Sequence, residues 1–234
     1  MPSAGTLTVP SLAAIAGLLH GFERRAGRPS FGETREESRR RVAEALRPQG
    51  RLYLLEQVHG AHVVTAPWEG HPEADAAVAS EPGVLLGIET ADCLPVFVVD
   101  PHRRALAAVH AGWRGTALGV AARAVFALLA GGSRAKDLVA ALGPCIGACC
   151  YEVGDDVRAA FGPSSDGLFR PGPAGRPHLD LREANARQIA SAGVKEAAIA
   201  HVDECTRCLA DLYHSYRRDG RGAGRMINFA GFAG

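Results

Sequence analysis

The sequence predicts a layered α+β domain in which mixed β-sheets are flanked by helices. Its 234 residues are 47% hydrophobic, enough for a single domain over 1–234 with a substantial buried core. Apolar runs of strand length recur between positions 52 and 232. Helical segments fall among them without the regular βαβ alternation of a dinucleotide-binding fold.

The elements follow in order. Residues 1–18 lead in and are expected to be less ordered. TREESRRRVAEAL (34–46) sets charges on one side and Val42, Ala43 and Leu46 on the other, as a surface helix does. LYLLEQVHGAHVV (52–64) reads as two strands meeting near His59 and Gly60. VLLGI (84–88), LPVFVVD (94–100) and ALAAVH (105–110) are further strands, the last two joined as a hairpin through PHR. A helix is expected from Thr116 to Leu129, ended by Gly131 and Gly132. DLVAALG (137–143) is a strand. Helices follow from Gly154 and over 181–192, with a Pro- and Gly-rich loop at 162–177 between them. AAIAHV (197–202) and RMINFAGF (225–232) are late strands.

Charge narrows the function classes. With 26 basic and 25 acidic side chains, the formal net charge of +1 carries no nucleic-acid footprint, although a local pocket for a small anion is compatible with it. Only Lys136 and Lys195 among the basic residues are lysines. Leu12 to Leu19 is too short to span a bilayer and lacks the flanks of a signal peptide, so no membrane association is expected. Six cysteines are too sparse for a secreted disulfide scaffold. They read as thiols of a cytoplasmic protein.

Three residues stand where metal ligands tend to stand, at strand ends. His59 closes QVHG, Cys93 lies in the turn of ETADCLP, and His110 ends AVHAGWRG. Two imidazoles and a thiolate suit Zn²⁺ and leave a fourth position open. Water in that position would have its pKa lowered to roughly 7. The spacings, 33 and 16 intervening residues, match no short zinc motif, so residue types alone favour three unconnected residues. His62, three positions beyond His59 on a strand, faces the other side. Asp92 beside Cys93 is either a turn aspartate or a ligand-orienting group.

QVHGAHVV, ADAAVASEPGVLLGIETADCLPVFVVD, AVHAGWRGTALGV, GPCIGACCYEVGDDV and SYRRDGRGAGRMINFAGF together resemble the successive motifs of the YfiH-type laccase-domain family. The resemblance runs in the family's order from about His20 to Phe232. It implies a fold shared with the catalytic domain of cytotoxic necrotising factors. It also implies that His59, Cys93 and His110 are both the metal ligands and the catalytic groups. HGFERRAG (20–27) is similar to the family's N-terminal pocket motif, with Arg28 in place of its second Gly, which puts Arg25 near the pocket.

Around this centre, GWRGT (112–116) precedes the expected helix, and its free N–H groups with Arg114, Gly115 and Thr116 can bind phosphate. A plain turn with Thr116 as N-cap fits equally well. Arg217 and Arg218 of SYRRDG offer a second basic element or a solvated loop. Cys145, Cys149 and Cys150 of GPCIGACC read first as packing residues. Cys205 and Cys208 have CxxC spacing with no second pair nearby in sequence, a weak zinc or redox signal.

The resemblance implies phosphorolysis of adenosine, inosine, guanosine and methylthioadenosine, with adenosine deamination as a second activity. A nucleoside and phosphate are then the partners, and zinc, or else copper, the cofactor. The alternative is a cysteine hydrolase or amidase using a Cys93–His110 pair, for instance in editing peptidoglycan precursors. A third label of the family, polyphenol oxidase with copper, fits poorly. Nine histidines without one HxH pair do not make a trinuclear cluster. Copper at the three-ligand site is compatible with intrinsic affinities.

Overall fold

A computed structural model describes residues 5–25, 34–173 and 175–234. The first described elements are β1 (Thr6–Leu7), α1 (Pro10–Ala13) and β2 (Leu18–Glu23). Gly27 and Arg28, the end of the N-terminal pocket motif, lie outside the described residues. Then come α2 (Arg35–Leu46), β3 (Arg51–Leu54), β4 (Val63–Thr65), β5 (Ala76–Ala79), β6 (Val84–Thr90), β7 (Leu94–Asp100) and β8 (Ala105–Ala111). Next are α3 (Trp113–Ala117), α4 (Val120–Ala130), β9 (Val139–Leu142), α5 (Asp155–Ala160), β10 (Phe169–Pro171) and β11 (Pro177–Leu179). The chain ends through α6 (Leu181–Ser191), β12 (Ile199–His201), α7 (Tyr216–Asp219) and β13 (Met226–Phe232). Among the described residues, no helix is long and apolar enough to cross a membrane.

Two mixed sheets and a small antiparallel pair result, as the fold-class reading expected. The first sheet runs β1-β2-β13-β6-β3, with β3 parallel to β6 and the other pairs antiparallel. The second runs β12-β9-β7-β8-β5-β4, with parallel pairs at both edges. The expected β7–β8 hairpin is present in full register from Leu94↔Ala111 to Asp100↔Ala105. β10 lies inside the segment read as a loop and pairs with β11, which begins at the loop's last residue, Pro177.

Alternation along β7 and β8 builds the layers. Phe97, Val99, Leu106 and Ala108 join the core between the two sheets, where Phe97 stacks on Phe22 at 5.0 Å. Val96, Val98, Ala107 and Val109 point the other way, against Val120, Ala124, Val125 and Leu128 of α4 and Ile189 of α6. On the outer face of the first sheet, Val42 and Leu46 of α2 cover Leu85, Ile227 and Phe229. The order is helix, sheet, sheet, helix. Strands buried on both faces read as continuous apolar runs, which is why β6, β7 and β8 were visible in the sequence.

Two local readings need correction. The strands expected to meet at His59 do not meet: β3 pairs with β6 in the first sheet and β4 with β5 in the second. The segment between them crosses from one sheet to the other. The single helix expected over 116–129 is two helices. Gly119, with φ +79°, breaks the chain between α3 and α4 at a left-handed position that favours glycine.

Candidate metal centre

The crossing segment, the β6–β7 turn and the end of β8 converge between the sheets. His110 lies on the same face of β8 as Leu106 and Ala108, so alternation carries it into the intersheet space, where it is buried. Pro95 pairs with His110, which brings Cys93, two residues before Pro95, beside the imidazole. His59 is not at a strand end. It sits in the loop at φ +61°, a left-handed conformation uncommon outside glycine.

Asp75 explains that conformation. Its buried carboxylate accepts from the backbone N–H groups of Val58 (3.3 Å), His59 (2.9 Å) and Gly60 (2.6 Å). The same carboxylate accepts from Nδ1 of His110 at 2.8 Å. Burial pushes the Asp75 carboxyl up, but the His110 and backbone donors outweigh it and hold it below its ordinary range. An ionised carboxylate can only accept, so the proton of a neutral His110 sits on Nδ1 and Nε2 is left as a ligand atom. One side chain therefore orients two of the three candidate ligands. Gln57 fixes the loop from the other side. Its amide donates to the carbonyl of Glu89 and accepts from the Glu89 N–H, both at 2.8 Å, as a strand neighbour would.

The donor atoms of His59, Cys93 and His110 all lie within 4.8 Å of one another. Cys93 Sγ is 3.9 Å from His59 Nε2, and the two imidazole rings meet edge to face at 4.8 Å. Tetrahedral Zn–S and Zn–N bonds of about 2.3 and 2.0 Å put neighbouring donors roughly 3.3–3.6 Å apart, so this set fits a divalent ion after small side-chain movements. Gly112 leaves room for the approach. A Cβ there would lie 3.0 Å from His59 Cδ2 and 3.1 Å from Cys93 Sγ. Burial pushes the Cys93 thiol up, but His110 and His59 outweigh it and bring it down to about 6. Burial likewise pushes His110 down, while Cys93 and Asp75 raise it to about 9. Without metal, the pair is a thiolate beside an imidazolium.

The centre forms part of the wall of a cavity of about 910 Å³. Trp113 and Arg114 of α3, Tyr151 from the segment between β9 and α5, and Arg217 and Arg221 from the C-terminal segment line it. Arg114 stacks on Trp113 at 4.3 Å and Arg217 over Tyr151 at 5.2 Å. The wall's acids are engaged elsewhere. Glu89 is paired with Arg35 (2.7 Å) and Arg39 (2.6 Å). Asp92 accepts from Thr206 (2.6 Å), Ser215 (3.0 Å) and the Arg217 N–H (2.7 Å), which makes it the brace of the β6–β7 turn. Among the described residues, Arg114 and Arg221 have no carboxylate partner.

The chain matches a known family. The family model described as multi-copper polyphenol oxidoreductase laccase covers residues 32–233. The chain belongs to this laccase-domain family. The purine nucleoside phosphorylase YlmD of Geobacillus stearothermophilus is 38% identical, over 95% of this chain and 91% of its own. The crystal structure of that YlmD matches with a TM-score of 0.88, covering 100% of this chain and 98% of that one. A purine nucleoside phosphorylase of Deinococcus radiodurans is also 38% identical, over 96% and 92% of the two chains. Adenosine deaminase RL5, from an unknown prokaryotic organism, is 38% identical over 65% of this chain and 60% of its own.

Within the family's fold, the remaining expected site residues separate into two groups. Arg114 and Arg217 reach the cavity. Gly115 and Thr116 do not line it. The helix starts at Trp113 with Gly112 as N-cap, and Thr116 is buried in α3, its hydroxyl accepting from Asn185 at 3.0 Å. A Cβ on Gly115 would meet the Gly60 carbonyl at 2.6 Å, so this glycine serves the packing of α3 on the His59 loop. Arg25 is not among the described residues lining the cavity. Its N–H donates to Leu212 O and its guanidinium to Ala210 O. His62 is exposed and bonds the Glu73 carbonyl, outside the donor set. Sequence reading missed Asp75 and Gln57. The one available signal was an acid set at the head of an apolar strand, in EADAAVA.

Proposed function

We propose that this protein is a zinc-dependent purine nucleoside phosphorylase for adenosine, inosine, guanosine and methylthioadenosine, with adenosine deamination as a second activity. The carrying observation is the cavity that joins an oriented His59–Cys93–His110 donor set to arginines without carboxylate partners. The names of the relatives support the same class. His59, Cys93 and His110 would hold the zinc ion, which would supply Lewis acidity and activate water for attack. Arg114 and Arg217 hold phosphate. Trp113 and Tyr151 offer flat apolar surface to a purine. In phosphorolysis a phosphate oxygen forms the bond to ribose C1′ as the C1′–N9 bond breaks. The purine leaves with that electron pair and takes up a proton. In deamination water adds at C6 and ammonia departs.

The test is incubation of the purified, metal-analysed protein with each nucleoside and phosphate, following free base and ribose 1-phosphate by chromatography. Phosphate-dependent release of base, lost on chelation and restored by zinc, is expected. No product from any of the nucleosides by zinc-loaded protein would overturn the reading.

One observation favours a second reading, a cysteine hydrolase or amidase. The Cys93 thiolate, the His110 imidazolium and Asp75 make a nucleophile, an acid–base and an orienting carboxylate in line. A thiolate bound to metal is a poor nucleophile, so the two readings exclude each other at Sγ. Full turnover after chelation, abolished by alkylating Cys93, would select the hydrolase.

A further inference from the structure

Cys149, Cys150, Cys205 and Cys208 form a second cluster away from the cavity. They come from two segments of the chain, yet their sulfur atoms all lie within 4.8 Å of one another. Cys208 Sγ is 3.3 Å from Cys150 Sγ and 3.7 Å from Cys149 Sγ. A disulfide needs about 2.05 Å, and none of the four is paired with another. Four sulfurs around a tetrahedral ion at about 2.3 Å lie roughly 3.8 Å apart, close to the separations found. We propose that these four cysteines are the ligands of a second, structural zinc site, a closed tetrathiolate distinct from the His59–Cys93–His110 centre.

Three neighbouring features fit that role. The Gly147 N–H points at Cys205 Sγ from 3.3 Å, a donor that stabilises a thiolate. A Cβ at Gly147 would sit 3.2 Å from Cys149 Sγ and 3.3 Å from Cys205 Cβ, so glycine lets the two turns close on each other. The Arg207 guanidinium lies near Cys150, placing a cation beside a site that carries net negative charge when four thiolates surround Zn²⁺. Four soft donors and no imidazole or carboxylate select zinc over harder cations.

The site would staple one wall of the cavity. Cys145 and Cys205 form a parallel bridge, and the Thr206 N–H donates to the Cys145 carbonyl at 3.0 Å. The next residues reach the centre itself. The Ile146 N–H donates to the Asp92 carbonyl at 2.9 Å, and the Thr206 hydroxyl to the Asp92 carboxylate. Asp92 precedes Cys93. The clamp therefore fixes the turn that presents the thiolate of the first centre, without touching that centre's ligands.

The proposal is independent of the activity proposed above, and its test reads metal rather than turnover. Cys93→Ala removes the first centre. Purified under reducing conditions and loaded with zinc, this variant should retain one zinc per chain. A mercurial thiol reagent should release it as four thiols react. Loaded with cobalt, it should show the intense visible absorption of a tetrahedral four-thiolate ion. Adding Cys149→Ser and Cys208→Ser should abolish both. A folded Cys93→Ala protein that binds neither zinc nor cobalt would overturn the site. A wild-type peptide map joining Cys149 or Cys150 to Cys205 or Cys208 by a disulfide would overturn it too. If Cys93→Ala does not fold, alkylation of the wild type decides. Zinc should shield all four cysteines together, and undiminished labelling of them in zinc-saturated protein would refute the proposal.

Discussion

The two cysteine-bearing clusters of this protein are built in opposite ways. His59, Cys93 and His110 come from three segments anchored in both sheets, combine nitrogen and sulfur donors, and open on a cavity. A buried carboxylate, Asp75, stands behind two of them. The four cysteines at 149, 150, 205 and 208 come from two turns, offer sulfur alone, and include two exposed residues, Cys149 and Cys208. Three ligands leave an ion a free position for chemistry, whereas four thiolates close its shell. Donor number and the groups behind the donors, more than the presence of cysteine, separate a reactive centre from a staple.

Proton release offers the largest effect by which to test that contrast. In the metal-free first centre, Cys93 is a thiolate above about 6, while His110 keeps its extra proton up to about 9. Metal needs both groups deprotonated, so binding expels the His110 proton throughout this window and affinity rises with pH. Apparent zinc affinity of the Cys149→Ser/Cys208→Ser variant should increase about tenfold per pH unit from pH 6 to 8 and less steeply as pH nears 9, about 1,000-fold in all. In the other cluster, hydrogen bonds with Cys150 and Cys205 push the Cys208 thiol up to about 11. Burial and neighbouring thiols push Cys149 up as well, so metal must displace at least two protons there and the Cys93→Ala variant should show a steeper slope. Competition titrations with a chelator of known pH dependence would measure both. A flat profile for the first centre would remove the thiolate–imidazolium pair.

Asp75→Asn separates the clusters by their supporting groups. An amide presents N–H donors as well as one acceptor, and an N–H facing His110 Nδ1 forces the ring proton onto Nε2, the ligand atom. Supporting partners of this kind are worth about 10–100-fold in metal affinity. Zinc at the first centre should weaken by that factor, and zinc at the cysteine cluster should not change. Equal weakening at both would mean that the substitution acts through general unfolding, which circular dichroism would register.

What the sequence made legible follows from where each signal resides. β6, β7 and β8 are uninterrupted apolar runs because both their faces are covered, and α2 carries its charges on one side. Cys93 and His110 lie at the ends of such runs and could be read as a pair. The conformation of His59 could not, because φ +61° is imposed by bonds to Asp75 from 15 to 17 positions away. Asp75 itself looks like any aspartate between a loop and a strand, and its value lies in partners the chain brings from elsewhere. Thr116 and Gly115 were drawn to the phosphate site by their neighbours Arg114 and Gly112, whereas a helix beginning three residues earlier turns them into the core. The cysteine cluster was half visible as CxxC; its other half lies 58 positions away, from Cys150 to Cys208. Periodicity reports covered faces; it does not report which distant loops share a carboxylate or an ion.

The smallest effect concerns the arginine wall, which the first centre has and the cysteine cluster lacks as a substrate-facing surface. Arg114 has its guanidinium on the Trp113 ring and is exposed toward the cavity. Stacking restricts the side chain, so little further entropy is lost when it takes a phosphate oxygen. Solvent screens the interaction, which places its worth near the low end for a charged hydrogen bond, about 1.4 kcal/mol or tenfold. Arg114→Ala should raise the phosphate KM about tenfold at saturating nucleoside and leave zinc content at both clusters unchanged. Arg114→Lys should recover only part of the loss, because an ammonium keeps the charge but not the flat stack on Trp113. Initial rates with phosphate varied at fixed inosine would read the effect. An unchanged phosphate KM in both variants would return Arg114 to a packing role on Trp113 and shift the phosphate site toward Arg217 and Arg221. The cavity would then be divided differently, with the metal centre and Trp113 on the purine side and the C-terminal arginines alone on the phosphate side.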